Sequence, residues 1–366
     1  MAEPKRILIA GLTAETGGME SYIMNLYRHT DRSRLQFDFI NQNPVKDLAF
    51  SDEITAMGGR IYRVPYLRDG FFEHYKSLKR VFGDTEYEAI YYQSNRQLKN
   101  ADLFRYAKKY NVRRRILHSH NSGELGVGKI GCLRIKMTEP KLKKYLTDCF
   151  ACSEEAGKWM FPWTDNVTVI KNGVDTTVFD YHPETGKRIR KENGAGGKKV
   201  FGTVGRISKE KNPLFLADLF AEIHKKNPDT IFFHIGGGDM EEDLRKRICE
   251  KDLKDSYILL GRKDNVSDYL NAMDLLLLPS VHEGFPITLV EAQCSGMHCL
   301  VSDKITETVN ITGNVYFKSI EEDAEKWAVE ALAASEYERH SCRDILTEKG
   351  FDEQSIADRF TEFVLN

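Results

Sequence analysis

Leu275-Leu276-Leu277-Leu278, running into Pro279-Ser280-Val281-His282-Glu283-Gly284-Phe285-Pro286-Ile287-Thr288-Leu289-Val290-Glu291, is the stretch whose reading decides the fold. Four consecutive leucines read as a strand that is apolar on both faces, which only the interior of a parallel sheet requires. A short loop follows, and the apolar stretch over roughly 286–295 has the length of a helix. In open α/β sheets ligands bind just beyond the carboxyl ends of strands, where helix N-termini offer N–H groups and the positive end of a dipole. Glu283 falls on the loop and Glu291 inside the helix, with seven residues between them. Two carboxylates framing an anion site cannot bind the anion. They are suited to hold hydroxyl groups of a sugar or ribose attached to it. Spacing alone leaves open a surface acid and a helix acid with no joint role.

The same strand–helix alternation runs outward in both directions. Short apolar runs at Arg6–Gly11, Phe37–Asn41, Arg60–Val64, Ala89–Gln93, Arg115–His118, Cys149–Ser153 and Val167–Ile170 predict strands, with a helix at Met19–His29. Tyr181–Lys199 is polar and glycine-rich and reads as a loop or linker. The alternation then restarts: strands at Val200–Val204, Ile231–Ile235, Tyr257–Leu260, Leu275–Leu278 and His298–Ser302, helices at Pro213–Lys226, Met240–Glu250, Val266–Met273 and Ile287–Cys294, and a closing helix at Glu353–Val364. At 366 residues the chain exceeds what one core usually serves. The expected fold is therefore α/β, with two doubly wound, Rossmann-like domains and a cleft between them. The expected boundaries are 1–180 and 181–350, with a final helix, 351–366, returning to the first domain.

Net charge is −2, which argues against a polyelectrolyte partner, and no nucleic-acid-binding module is recognised. The charge is uneven. Arg96–Lys144 holds fourteen Lys/Arg against three Asp/Glu, and Tyr316–Asn366 holds six against thirteen. The basic stretch reads either as solvated helix faces or as a patch for anionic lipid head groups or a phosphorylated acceptor. No apolar run approaches the ~20 residues that span a bilayer, and Met1–Arg6 leads into a strand without a signal peptide. A cytoplasmic protein, peripheral at the inner face of a membrane, is expected. Seven cysteines scattered among apolar runs fit reduced thiols, and Cys149-Phe150-Ala151-Cys152 reads as core, there being no second C-x-x-C pair.

The first strand–helix turn, Gly11-Leu12-Thr13-Ala14-Glu15-Thr16-Gly17-Gly18-Met19-Glu20, is neither a dinucleotide fingerprint nor a Walker loop. Gly17 and Gly18 would still let backbone N–H groups approach a phosphate. In the second half, Thr203-Val204-Gly205-Arg206 leaves a strand and Lys211 precedes the next helix, so a guanidinium and an ammonium converge on one strand end. Together they would suit a diphosphate. There is no Asp-x-Asp motif and no His/Cys cluster at metal spacing, so no metal and no cofactor is expected, and protein cations would have to neutralise a departing diphosphate. His118-Ser119-His120-Asn121 follows another strand end.

Gly17-Gly18-Met19-Glu20, Val204-Gly205-Arg206 with Lys211, Asn172-Gly173-Val174-Asp175 and the Glu283–Glu291 segment together resemble the family 4 glycosyltransferases, retaining enzymes of the GT-B fold. The match runs in order over essentially the whole chain and looks closest to the bacterial exopolysaccharide and capsule branch. The resemblance implies roles. Arg206 and Lys211 would hold the donor diphosphate, with Gly17 and Gly18 approaching from the other domain. Glu283 would bind hydroxyls of the transferred sugar and Glu291 those of the ribose. Backbone N–H groups of Gly284, Phe285, Ile287, Thr288 and Leu289, with Pro286 among them, would line sugar and phosphate, and Gly261-Arg262 would meet the nucleobase. His120 would sit near the sugar's C6 hydroxyl or the acceptor, and His118 would be structural. The donor implied is a UDP-linked hexose or N-acetylhexosamine. The acceptor implied is a polysaccharide or a lipid-diphosphate-linked oligosaccharide. Rival readings are a nucleotide-sugar epimerase or hydrolase and an inactive donor-binding partner subunit of a glycosyltransferase pair. A glycosidase pair is rejected, because a nucleoside diphosphate leaves without protonation by a carboxylic acid.

Overall fold

The computed structural model describes residues 3–98, 101–121, 129–281, 283 and 285–366. Two compact units emerge: Met1–Asn172 with Glu353–Asn366, and Gly173–Asp352.

Among the described residues, unit 1 holds seven parallel strands: β1 (Lys5–Ala10), β2 (Leu35–Asn41), β3 (Ile61–Arg63), β4 (Ala89–Ser94), β5 (Arg114–Ser119), β6 (Asp148–Ala151) and β7 (Thr168–Val169). Their order is β3-β2-β1-β4-β5-β6-β7. Successive residues of a strand face opposite sides. Ile7 and Ile9 accordingly join Ile23, Tyr27, Phe37 and Phe39 on one face. Leu8 and Ala10 join Ile40, Leu78, Ile90 and Phe104 on the other. Both faces are thus covered by helices, the condition for a buried parallel sheet. The first face is completed by the closing helix, Glu353–Leu365, which contributes Ile356, Ala357, Phe360 and Val364.

Unit 2 repeats the plan with β8 (Lys199–Val204), β9 (Thr230–Ile235), β10 (Tyr257–Gly261), β11 (Leu275–Leu278), β12 (Cys299–Ser302) and β13 (Val315–Lys318), ordered β10-β9-β8-β11-β12-β13. The four leucines divide as the pleat demands. Leu276 and Leu278 pack with Val200, Phe233 and Val301, while Leu275 and Leu277 pack with Phe201, Phe232 and Trp327.

Residues 181–199 are not a linker. Pro183–Glu192 is a helix begun by proline, its fixed φ suited to the first turn. It lies so close to the helix Val266–Ala272 that a Cβ on Gly186 would come 2.2 Å from the Asn271 carbonyl oxygen. Arg190 bonds Ala272 O and Asp274 there. The stretch looked like a linker because only Gly186 and Ile189 of the helix are buried, leaving too few apolar positions to show a period. The division between units therefore falls at 172/173 and 352/353 rather than at 180/181 and 350/351. Val174 pairs with Asp352 in a parallel bridge, and Thr176 donates to the Asp352 carboxylate.

Part of the basic stretch is structural. Arg113 donates to the main-chain oxygens of Val364 and Asn366, and the Arg114 guanidinium lies 4.2 Å over the Phe363 ring. Arg115 donates to Tyr145 O and Val112 O. These three arginines clamp the closing helix and the β5–β6 region. Cys149 and Cys152 are free thiols, pushed by burial up to about 12 and about 11, which leaves them protonated and inert at neutral pH.

Candidate active site

Each sheet reverses its strand order at one place, between β1 and β4 in unit 1 and between β8 and β11 in unit 2. The loops diverge there and leave a crevice at the carboxyl ends. The residues singled out in sequence gather at these two places.

In unit 2 the crevice floor is backbone. Gly236 has φ +133° and a Cβ on it would come 1.9 Å from Gly205 O, while one on Gly238 would come 2.2 Å from Ile207 O. Only glycine lets the loops after β8 and β9 lie main chain on main chain. The Gly236 N–H donates to Gly261 O at 2.8 Å, which joins the end of β10 to the same layer. Arg206 leaves this layer exposed, and so does Arg262. A short 3₁₀ turn, Lys209–Lys211, ends at Asn212 in the left-handed region (φ 55°), and Pro213 opens the helix to Lys226. This turn aims Lys211 back across Gly205, where a Cβ would come 3.4 Å from Lys211 Cε.

From the other side of the switch point, β11 delivers Ser280 and Glu283. Val281 N–H donates to Glu210 O at 2.8 Å and ties the two loops together. Glu283 forms an ion pair with Lys211 and accepts the Ser280 hydroxyl at 3.0 Å. Both partners are only partly exposed, 13 % for the Glu283 side chain and 23 % for Lys211. The pair is therefore shielded more than a surface bridge yet still reachable by a ligand.

The helix Ile287–Cys294 enters from this loop with Pro286 as its cap. Thr288 and Glu291 are half-buried on it, one turn apart. Leu289 is a correction to the expected lining: its side chain is fully buried and its N–H is already bonded to Pro286 O at 3.0 Å. Phe285 stacks on Phe351 with centroids 6.1 Å apart and rings 5° from parallel, so it braces the loop. Gly284 and His282 lie outside the described residues. Sequence reasoning missed two supports. Ser280 holds Glu283, and the buried Gln293 amide accepts from Ile311 N and Thr312 N and donates to Leu289 O and Val309 O, fixing the helix in place. A polar residue inside an apolar helix run was the available signal for Gln293.

In unit 1 the loop after β1 passes directly over β4: a Cβ on Gly11 (φ +93°) would come 1.9 Å from Gln93 O. The loop is held from below by Glu20, 4 % exposed, whose carboxylate accepts both the N–H and the hydroxyl of Thr13 at 2.9 Å. Gly17 caps the helix Gly18–His29 and lies 3.0 Å, measured from an added Cβ, from the same carboxylate. The Cβ side of Gly18 opens on empty space. His118 and His120 leave β5 beside them, ring centroids 4.1 Å apart. His118 is fully buried and its Nδ1 meets the Tyr91 hydroxyl at 2.6 Å, which in turn lies 3.1 Å from the Tyr22 hydroxyl. His120 Nε2 meets Gln93 Oε1 at 2.7 Å. Burial holds His120 down at about 3 and His118 well below the ordinary imidazole range, so both rings are neutral at physiological pH.

A Rossmann-like pair of units, each with a crevice at its switch point, is the GT-B architecture of glycosyltransferases. The fold is shared with Anabaena HepE, solved in complex with UDP, at a TM-score of 0.75 and 17% identity over 99% of both chains. Residues 186–345 match the family described as glycosyl transferases group 1, and the chain carries a domain of that family. It is 28% identical over 364 residues to a putative glycosyltransferase, EpsF, of Bacillus subtilis (strain 168), covering 96% of this chain and 94% of that one. It is 37% identical over 154 residues to a UDP-Gal:alpha-D-GlcNAc-diphosphoundecaprenol alpha-1,3-galactosyltransferase of Escherichia coli, 40% of this chain and 38% of the other.

Proposed function

We propose that this chain is a retaining, metal-independent glycosyltransferase. It takes the sugar of a UDP-hexose or UDP-N-acetylhexosamine and passes it to a hydroxyl of a polysaccharide or lipid-diphosphate-linked oligosaccharide. The observation that carries the reading is the Lys211–Glu283 pair across the β8/β11 switch point, with the exposed Arg206 on the same loop. Cation and carboxylate are what a diphosphate joined to a polyol would exchange for each other. The diphosphate takes Lys211 and Arg206, and the sugar hydroxyls take Glu283. Glu291 is assigned to the ribose, Gly261-Arg262 to the base, and Gly17-Gly18 to the phosphate side of the site. The UDP complex of HepE and the UDP-galactose donor in the name of the Escherichia coli relative support the choice of nucleotide.

In the proposed reaction the bond from the anomeric carbon to the diphosphate oxygen breaks, and the acceptor oxygen bonds to the same face of that carbon. The departing phosphate oxygen receives the acceptor's proton. Arg206 and Lys211 stabilise the charge that develops on the leaving group. His120, kept neutral, serves as a hydrogen-bonding group to sugar or acceptor and not as a proton carrier.

The acceptor's lipid would be met by unit 1, at the inner face of a membrane. Among the described residues no helix is long and apolar enough to cross one. The helix Phe71–Gly83 exposes Phe72 (87 %) and Phe71 (58 %), and Lys129–Tyr145 exposes Leu133 and Met137. The helix Asp102–Lys109 packs between them and exposes Lys108 and Lys109. Exposed aromatics beside lysines suit an anionic bilayer surface.

The reading is tested by Glu283→Ala and Arg206→Ala with a radiolabelled donor, an acceptor and EDTA present. Each variant is expected to lose transfer by at least ~10²-fold with an unchanged melting temperature. Near-normal transfer by either, a strict need for Mg²⁺ or Mn²⁺, or release of free sugar in place of a glycosylated acceptor would overturn it.

A further inference from the structure

Gln93 is an anomaly for a core position. It is the last residue but one of β4, only 1 % exposed, and its Nε2 is buried without a well-formed hydrogen bond. An unsatisfied buried donor costs about 1–3 kcal/mol, which a methionine or leucine of similar size would not incur. Its Oε1 lies 2.7 Å from His120 Nε2, and its amide also acts on the Tyr91 hydroxyl. We infer that Gln93 is the positioning residue of the unit 1 site: its amide oxygen fixes His120 as the Nε2–H tautomer, so that the ring presents its Nδ1 lone pair to a substrate hydroxyl. This rests on the reading of His120 as a substrate-facing group.

The tautomer follows from the amide orientation, with Gln93 Oε1 turned to the ring. An amide oxygen only accepts, so the imidazole nitrogen 2.7 Å away must carry hydrogen. A neutral imidazole has one N–H, and its other nitrogen is then an acceptor. Packing holds the ring in place from three sides. Tyr22 lies 5.3 Å away and His118 4.1 Å away between centroids, and the His120 main-chain N–H is bonded to Ser94 O at 2.9 Å. The titratable neighbours are Tyr22 on the first helix, Tyr91 on β4 and His118 on β5. Tyr91 and Tyr22 are raised by burial and His118 is lowered by it, so none brings a charge at neutral pH. Gln93 itself cannot withdraw, because the Gly11 main chain sits on its carbonyl. Adjacent strands in register place the two residues together, Gln93 opposite His118 and His120 two residues on. A sugar hydroxyl is both donor and acceptor, and a ring of fixed tautomer accepts from it in one orientation only.

The test uses the full chain with ¹⁵N-labelled histidine. Long-range ¹H–¹⁵N spectra of the wild type should show His120 as the Nε2–H tautomer, unchanged between pH 5.5 and 8. Gln93→Met should abolish that preference and lower kcat about 10- to 100-fold, leaving donor KM and melting temperature near the wild-type values. Gln93→Glu keeps an acceptor but adds a charge. Its His120 should titrate within the working range, with transfer recovering toward wild type above that pKa and failing below it. A His120 found as the Nδ1–H tautomer overturns the proposal, as does wild-type transfer by Gln93→Met while His120→Ala is inactive. Wild-type transfer by His120→Ala would instead remove the reading on which it rests, and the tautomer spectra would still decide the Gln93 contact.

Discussion

The two switch points of this molecule have the same topology and different polar chemistry. At β8/β11 the crevice is lined by ions that keep some contact with solvent: Arg206, Lys211 and Glu283. At β1/β4 the Glu20 carboxylate is taken up by Thr13 of the loop, and beside it lies a neutral array of Tyr22, Tyr91, His118, His120 and Gln93 in which burial holds both histidines unprotonated. A sheet crevice supplies a place and no particular chemistry. What fills it follows from depth. The Lys211 and Glu283 side chains remain 23 % and 13 % exposed, whereas Tyr22, Tyr91, His118 and Gln93 are buried.

The comparison breaks most visibly at Lys211. Lys211→Met should lower transfer about 10²- to 10³-fold and leave Glu283 with Ser280 as its remaining described partner. A loss that high salt fails to reproduce in part would show the ammonium acting by shape alone. The next effect is on stability in acid and belongs to unit 1. The folded state holds His120 at about 3 against 6.5 for an ordinary imidazole, so the unfolded chain binds the extra proton. The resulting stability is fully present above about pH 6.5 and is lost progressively as pH falls toward 3. The His120→Gln variant should melt with a shallower dependence on pH across that window, and an unchanged slope would show the ring to be solvated. Smallest is the outer charge of unit 1. Replacing Lys108 and Lys109 together by alanine should weaken partition onto vesicles rich in anionic phospholipid by about 30-fold, at about 1 kcal/mol per lysine. No change, or equal binding to neutral vesicles, would place the membrane contact elsewhere.

Where the local pattern was strong, the chain was readable from its residues. Leu275–Leu278, Ile287–Cys294 and Pro213–Lys226 have in the structure the limits expected, because a continuous apolar run, a proline cap or a polar break marks each end. β13 was overlooked, since it is an edge strand with one fully buried residue, Val315. The helix Ala324–Ala334 was overlooked because it buries Trp327 with two alanines, a weak periodic signal. In the candidate site, Arg206, Lys211 and Glu283 were legible as residue types at strand ends. Their ion pair was not, since Lys211 and Glu283 are 72 residues apart and meet only through strand order. The Gln93–His120 contact was hidden likewise, depending on the register of two strands 27 residues apart.

The closing helix has a consequence for how the chain is made. Unit 2 is one continuous segment, Gly173–Asp352, and can complete its core as soon as that segment has been synthesised. Unit 1 cannot. The sheet face carrying Ile23, Tyr27, Phe37 and Phe39 lacks Ile356, Phe360 and Val364 until translation has passed the whole of unit 2. At about 5–20 residues per second, the first half of the protein waits roughly 10 to 40 s with an uncovered apolar face. During that interval the nascent chain is a substrate for whatever in the cell binds exposed hydrophobic sheet, and truncation after Asp352 would make that state permanent.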